Sequence, residues 1–103
     1  MDGKFTVVVD AELAPIMPRY IEIRRQELGE LQDALAKSDA ETVRLLGQRL
    51  KGTGAAYGFP DLTRMGAAIE TAGKENDLTA AARLAGELAA FLDGVQVVYG
   101  EPG

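Results

Sequence analysis

Few residues in this chain have side chains that could perform nucleophilic, acid–base or metal chemistry. Its 103 residues include no histidine and no cysteine, which removes the commonest general base and metal ligand, thiolate nucleophiles and disulfides. The carboxylates are scattered among other polar residues, and neither of the glycine-rich phosphate-binding motifs, G-x-x-x-x-G-K-[ST] and G-x-G-x-x-G, occurs. The sequence therefore predicts a protein with no turnover of its own, no catalytic residue, no metal site and no bound cofactor.

The composition indicates one small, acidic, globular domain. Hydrophobic residues make up 47% of the chain and charged residues 26%, as in ordinary folded domains, so we treat residues 1–103 as a single domain with a core at about 10–94. The formal net charge of −5 argues against nucleic acid, because a basic footprint supplies most of that affinity. No apolar run reaches the roughly 18 residues of a membrane helix, and residues 1–5 lack the features of a signal peptide. We therefore expect a cytoplasmic protein that binds neither nucleic acid nor membrane.

Apolar residues at spacings of three and four predict four amphipathic helices. The expected helices span about residues 18–37, 39–57, 60–72 and 78–93. Because short connections place successive helices antiparallel, the sequence predicts an all-α, antiparallel up-down four-helix bundle. The alternative is a three-helix domain whose first helix serves as a partner-binding arm. The closed bundle is preferred because the apolar stripe of every helix must be buried against other helices.

Capping residues and charges refine these helices. Ser38 and Glu41 have the spacing of a capping box at the start of the second helix, Asp77 can cap the fourth helix, and Gly58 can end the second in a left-handed conformation. The apolar stripe of the first helix comprises Tyr20, Ile21, Leu28, Leu31 and Leu35. The charged residues expected to lie mostly off that stripe are Arg24, Arg25, Glu27 and Glu30.

Both ends of the chain are rich in β-branched residues, which favour strands. These strand-like tails are residues 4–9 and 95–99. In an up-down bundle they emerge at the same end, so we expect them either to pair as a short antiparallel ribbon or to remain disordered, since isolated two-stranded ribbons are marginal. Residues 100–103 are expected to fray.

The most distinctive segment of the chain is residues 46–59. It contains Q-R-L-K-G at residues 48–52, then small residues, then Gly58 six positions later. This segment resembles the signature of histidine-containing phosphotransfer (HPt) domains, the four-helix modules of phosphorelays, which read H-x-L-K-G followed by small residues and a glycine about six positions on. The resemblance extends to R-x-x-E-L in the first helix and L-x-x-x-x-x-x-I-E in the third, and it covers roughly residues 10–94.

The clear departure from the family pattern is Gln48, which stands where the family has its phospho-accepting histidine. In the family, an imidazole nitrogen takes the phosphoryl group from the aspartyl phosphate of a receiver domain and passes it to another receiver. The lone pair of a glutamine amide nitrogen is delocalised into its carbonyl, so this chain should be inactive in phosphotransfer. Either Gln48 is an engineered replacement in an active protein, which the preserved remainder of the motif favours, or it is native to a domain that binds receivers without passing phosphate.

The resemblance also implies roles for the residues around Gln48. Lys51 and Gly52 share its helical face. The lysine would offset phosphoryl charge, unless it is only a solvated surface lysine, and the glycine would leave room for a receiver's acidic pocket, unless it serves helix packing. Arg44 and Arg49 would steer that acidic pocket. The implied docking surface comprises Arg44, Leu45, Arg49, Ala55 and Ala56 of the second helix, with Arg24 and either Ile21 or Ile23 of the first, unless Ile21 is simply part of the core.

The functional expectation is a receiver-docking module of a phosphorelay. The expected partners are response-regulator receiver domains, and a hybrid sensor kinase is a further candidate. Any Mg²⁺ would belong to the receiver, and the chain is expected to be a monomer, as members of the family commonly are. Two alternatives stay open. One is a non-catalytic regulator that sequesters a receiver, and the other is an unrelated helical adaptor, which would bind no receiver and would tolerate changes near Lys51 and Gly52.

Overall fold

The computed structural model describes residues 5–100 of the chain. The described chain begins with strand β1 (Phe5–Asp10) and a 3₁₀ helix (Ala11–Ile16) and ends with strand β2 (Val95–Gly100). Between them lie four long helices, which are α1 (Met17–Ala36), α2 (Ala40–Tyr57), α3 (Pro60–Lys74) and α4 (Leu78–Gly94). The four predicted helices are confirmed to within two residues at each end. None of the helices in the described part is long and apolar enough to cross a membrane. The predictions for Lys4 and for residues 101–103 lie outside the described residues.

The four helices close around one apolar core. Each helix packs against the next along the chain, and α4 also packs against α1. The last three helices bury apolar side chains in this core, namely Val43, Leu46 and Leu50 of α2, Leu62, Met65 and Ile69 of α3, and Ala85, Leu88, Phe91 and Leu92 of α4. Because α1 contacts both α2 and α4, it belongs to the bundle and is not a free arm, which confirms the four-helix prediction.

Glycines bring the backbones of α2 and α3 into direct contact. A Cβ placed on Gly47 would lie 2.3 Å from the backbone nitrogen of Glu70, and one placed on Gly66 would lie 2.3 Å from the backbone nitrogen of Lys51. The same interface has similarly little room at Gly54 and Gly73. Since protein interiors are close-packed, a larger residue at these positions would force the helices apart. The glycines therefore fix α2 against α3, and with it the set of α2 residues that faces outward.

The start of α2 differs from the prediction. Asp39 caps the helix, because its carboxylate accepts from the backbone N–H of Thr42 at 3.1 Å and from the Thr42 hydroxyl at 2.6 Å. Ser38 instead has a φ of 55° and turns the chain between α1 and α2. The predicted capping box of Ser38 and Glu41 is therefore wrong, since the helix begins later and the aspartate side chain takes the cap.

Two other predicted helix ends are confirmed. Asp77 caps α4, and its carboxylate accepts from the backbone N–H of Ala80 at 3.1 Å. Gly58 follows α2 with a φ of 80°, in the left-handed region where glycine avoids the strain that other residues incur. Pro60 then begins α3 at a position where its missing N–H has no partner to lose.

The terminal strands pair, but in the parallel sense. The register starts at Phe5 opposite Val95 and continues to the ends of both strands, so the predicted antiparallel ribbon is wrong. An antiparallel ribbon requires β1 to continue in the direction of α1, whereas the 3₁₀ helix Ala11–Ile16 lies between them and gives the chain room to turn. Val7 and Val9 of the ribbon are buried against the core.

Candidate functional site

One face of α2 is open to solvent. Its exposed residues are Leu45, Gln48, Arg49, Gly52, Ala55 and Ala56, which we call the α2 face. Helical residues three and four apart are surface neighbours, so these residues form one continuous patch with Gln48 near its middle. Leu45 is 44% exposed, and it adds a large apolar side chain to the patch.

Gly52 leaves open space beside Gln48. Apart from Gly52, its two chain neighbours and the nearby backbone of α2, no atom lies within 4 Å of the position that its Cβ would occupy, so Gly52 does not serve helix packing. That role belongs to Gly47 and Gly54, which are buried against α3. The backbone of α2 is therefore accessible at Gly52 to the surface of a partner.

An ion pair with α3 holds Lys51 at the edge of the α2 face. Its Nζ donates to Oε1 of Glu70 at 2.7 Å, and Oε2 of Glu70 lies 3.9 Å from Nζ of Lys74. The hydrogen bond from Lys51, followed by the charges of the two lysines, outweighs burial and holds the pKa of Glu70 below its ordinary value of 4.5. Because Glu70 is buried and the side chain of Lys51 is 44% exposed, Glu70 holds the lysine ammonium group in place where solvent can still reach it.

Glu70 is a residue of the site that the sequence analysis did not single out. It ends the I-E pair of the α3 motif and follows directly after buried Ile69. A carboxylate at the buried side of a helix needs a cation or hydrogen-bond donors. The position of Glu70 next to an apolar, inward residue is therefore the sequence signal that could have pointed to it. Which cation would meet that requirement depends on the contact between α2 and α3, which the sequence alone does not reveal.

The Lys51–Glu70 pair predicts a pH-dependent contribution to stability. A carboxyl group whose pKa is lowered by folding stabilises the folded state above its unfolded pKa, and this contribution is lost as the pH falls through the lower folded pKa. We therefore expect Glu70→Gln to lower the Tm by a few degrees at pH 7. The difference from the unmodified protein should shrink as the pH falls below 4.5, the ordinary pKa of this group. Thermal unfolding at pH 7 and pH 3 measures both effects, and an equal difference at the two pH values would contradict the assignment.

Arg44 lies beside the α2 face and Arg49 lies at its opposite edge, and both already have carboxylate neighbours. Arg44 donates two hydrogen bonds to Glu41, at 3.1 and 2.6 Å, which raise the pKa of Arg44 and lower that of Glu41. Arg49 lies toward α1, with Nη1 3.5 Å from Glu27 and 3.9 Å from Glu30. The arginines expected around this face are therefore present, but each of them is paired within the chain.

Arg24 lies in the interior between α1 and α2. It is 6% exposed, its Nη1 donates to Oγ1 of Thr53 at 2.7 Å, and its guanidinium carbon lies 4.6 Å from the centre of the Tyr20 ring. Its Nε lies 2.8 Å from Oε1 of Glu27, which is 4% exposed. The expectation that Arg24 and Glu27 lie off the buried side of α1 is wrong, because the two charges neutralise each other there. Arg24 is thus not positioned to contact a partner directly.

Ile21 also lies away from the α2 face. It is half-buried and lines a shallow apolar groove together with Val97 and Tyr99 of β2. Ile23 lines a different groove, which includes Tyr57 of α2, because each helical residue is rotated by about 100° from the one before. The structure therefore does not bring Ile21 together with the other implied docking residues, and Ile23 is the isoleucine of α1 on the side of α2.

Comparison with known families adds an independent finding. A family model described as Hpt domain matches residues 19–97, a region that includes the whole of the α2 face, Lys51 and Glu70. Comparisons with curated proteins and with solved structures gave no match. The family model confirms the resemblance that residues 48–52 indicated. The chain belongs to the Hpt domain family, whose members serve histidine phosphotransfer in phosphorelays and interact with response-regulator receiver domains.

Proposed function

We propose that this chain docks on response-regulator receiver domains through the α2 face and that, with Gln48 at its centre, it does not carry a phosphoryl group itself. The observation that supports this most is the exposure of Gln48 beside Gly52, whose Cβ position has no atom of another helix within 4 Å. A partner surface can reach the α2 backbone and the Gln48 side chain together at this point. Members of the family that residues 19–97 match interact with receiver domains, so we take a receiver as the class of partner.

Gln48 lacks a nitrogen lone pair that is free for phosphotransfer. When a histidine accepts the group, its nitrogen forms a bond to phosphorus while the bond between phosphorus and the aspartyl oxygen breaks, and the receiver's carboxylate leaves. The amide nitrogen of Gln48 shares its lone pair with the carbonyl, so it is a poor candidate for the first of these bonds. The sequence contains no histidine at any other position that could take its place.

Other residues of this region suit the acidic pocket of a receiver. Leu45 offers exposed apolar surface, and Ala55 adds a small apolar side chain further along the helix. Lys51, held by Glu70 at 2.7 Å, offers a cation less than one helical turn from Gln48. Such a surface would combine apolar contact with charge complementary to that of the partner.

Two versions of this function differ in the origin of Gln48. If glutamine replaces a native histidine, the natural protein relays phosphoryl groups, whereas a native glutamine would make the chain a regulator that sequesters a receiver. In both versions we propose a cytoplasmic monomer, with any Mg²⁺ on the receiver and a hybrid sensor kinase as a further partner. Receiver binding is common to both versions, so it is the property to test first.

Leu45→Asp and Gly52→Gln are each expected to weaken receiver binding by at least about 30-fold. The aspartate would place a charge at an apolar contact and repel an acidic pocket, and the glutamine would fill the open space above the α2 backbone. Isothermal titration of the chain with a panel of receiver domains measures the affinities. Circular dichroism should show that the helical content of both variants is unchanged.

Gly86→Gln is the matched control for Gly52→Gln. Gly86 is also an exposed helical glycine with no atom of another helix within 4 Å of its Cβ position, but it lies on α4, so receiver affinity should not change. Unaltered affinity in both α2 variants would reject the proposed surface. Failure of the unmodified chain to bind any receiver would instead overturn the proposed function.

A further inference from the structure

Arg24, Glu27 and Arg49 form a line of alternating charges that runs from the interior to the α2 face. Nε of Arg24 lies 2.8 Å from Oε1 of Glu27, and Oε2 of Glu27 lies 3.5 Å from Nη1 of Arg49. The side chains of Arg24 and Glu27 are 8% and 5% exposed, whereas that of Arg49 is 56% exposed. We call these three residues the charge triad. One end of the triad is buried between α1 and α2, and the other end adjoins Gln48.

Neutral groups hold the buried end of the charge triad. Nη1 of Arg24 donates to Oγ1 of Thr53 at 2.7 Å, and the hydroxyl of Tyr20 donates to the backbone carbonyl of Thr53 at 3.3 Å. Nε of Arg24 and Oε1 of Glu27 are close but are not aligned as a hydrogen bond, so their attraction is chiefly coulombic. An apolar pair of similar size often stabilises a protein as well as a buried ion pair does. Stability alone therefore does not explain why charges occupy these positions.

The charge triad has a net charge of +1, from two arginines and one glutamate. Arg24 lies closer to Glu27 than Arg49 does, in a drier environment where charges interact more strongly. Glu30 lies 3.9 Å from Arg49, but both side chains are more than half exposed, so solvent weakens their interaction. The negative charge of Glu27 is therefore neutralised chiefly by Arg24, on its buried side.

We propose that Arg24 is a positioning residue that neutralises Glu27 and thereby leaves the positive charge of Arg49 available to an acidic partner at the α2 face. This inference rests on the proposed function, because the acidic partner that it invokes is the pocket of a receiver domain. It assigns Arg24 an effect on docking that does not require contact with the partner. It also predicts that removing Glu27 and removing Arg24 have opposite effects, which a purely structural role does not.

The charge beside position 48 can be measured without a receiver, through the pKa of the imidazole in the Gln48→His variant. In this background, Arg24→Met removes a positive charge and is expected to raise the imidazole pKa by about 0.3 pH unit. Glu27→Gln removes the negative charge and is expected to lower it by a similar amount. The double change Arg24→Met with Glu27→Leu keeps the net charge of the unmodified triad and should return the pKa to its starting value. NMR titration of the imidazole protons gives all four values.

Receiver affinity should follow the reverse order, because added positive charge lowers the imidazole pKa and strengthens binding to an acidic partner. At low salt, Glu27→Gln is expected to bind about threefold more tightly and Arg24→Met about threefold more weakly, with the double variant within twofold of the unmodified chain. These differences should fade at high salt. The control is Glu22→Gln, which changes the net charge of the chain equally but removes an exposed α1 carboxylate paired with Arg19 at 3.0 Å. It should leave both the affinity and the imidazole pKa nearly unchanged.

The possible outcomes separate this inference from the proposed function. If the imidazole pKa follows the predicted order but no form of the chain binds a receiver, the control of local charge by Arg24 is supported and the proposed function is overturned. If Glu27→Gln weakens receiver binding, or if neither single change moves the imidazole pKa, the inference is overturned while receiver binding by the unmodified chain still supports the proposed function. Glu27→Gln preserves the shape of the side chain, so the test does not depend on whether Arg24→Met folds.

Discussion

Gln48→His is expected to take the chain from no detectable phosphoryl uptake to about one phosphoryl group per chain when it is mixed with a suitable phosphorylated receiver. The reason is local, because the imidazole restores a nitrogen lone pair at an exposed position between Lys51 and Arg49. The Lys51–Glu70 pair at 2.7 Å would already place a cation beside the transferred group. Transfer of radiolabel from a panel of phosphorylated receivers to the unmodified and variant chains measures this effect.

Gln48→Asn is the control for that experiment, because it changes the side chain without adding a nucleophilic nitrogen. It should remain as inactive as the unmodified chain. Label on the Gln48→His variant should be lost in acid and survive in base, as expected for a phosphorus–nitrogen bond on imidazole and opposite to an aspartyl phosphate. Equal labelling of the unmodified chain would show that Gln48 is not the acceptor position. Receiver binding without transfer by any form would indicate a native regulator.

Gly47→Ala is expected to be the most destabilising single-methyl change in α2. The new Cβ would lie 2.3 Å from the backbone nitrogen of Glu70 and 2.8 Å from the carbonyl oxygen of Gly66, and backbone atoms cannot move aside without separating α2 from α3. Overpacking against backbone should cost more than about 3 kcal/mol, a large part of the stability of a domain of this size. Urea unfolding followed by circular dichroism measures the loss.

Gly86→Ala is the matched control for Gly47→Ala. Gly86 is also a helical glycine, but its Cβ position is open, so alanine should stabilise the chain by about 1 kcal/mol through its higher helix propensity. The two substitutions add the same methyl group and are expected to change the free energy of unfolding in opposite directions. A loss below 1 kcal/mol at Gly47 would mean that the close contact between α2 and α3 is not essential to the fold.

The parts of the fold that could be predicted from the sequence are those governed by local chemistry. Spacings of three and four placed the four helices, and short-range capping rules identified Asp77 and Gly58. The motif at residues 48–52 likewise identified the family and the exposed face of α2 together. The same capping rules wrongly predicted Ser38 as the cap of α2, because Asp39 is an equally good capping residue one position later.

The parts that could not be predicted depend on contacts between distant segments. Arg24 and Glu27 have the sequence character of surface residues, and only the packing of α1 against α2 buries them as a pair. The partner of Glu70 likewise follows from the approach of α3 to α2 at Gly47 and Gly66. The sense of the terminal ribbon depends on how the chain turns between β1 and α1, for which strand propensity gives no signal.

The most direct test of the account is to map where a receiver domain binds. An NMR titration of isotope-labelled chain with unlabelled receiver reports the change at each backbone amide. We expect the changes to centre on Leu45, Gln48, Gly52 and Ala55, with little effect on the terminal ribbon. Changes centred on the ribbon or on α4, with these α2 amides unmoved, would contradict the proposal that the α2 face is the docking surface.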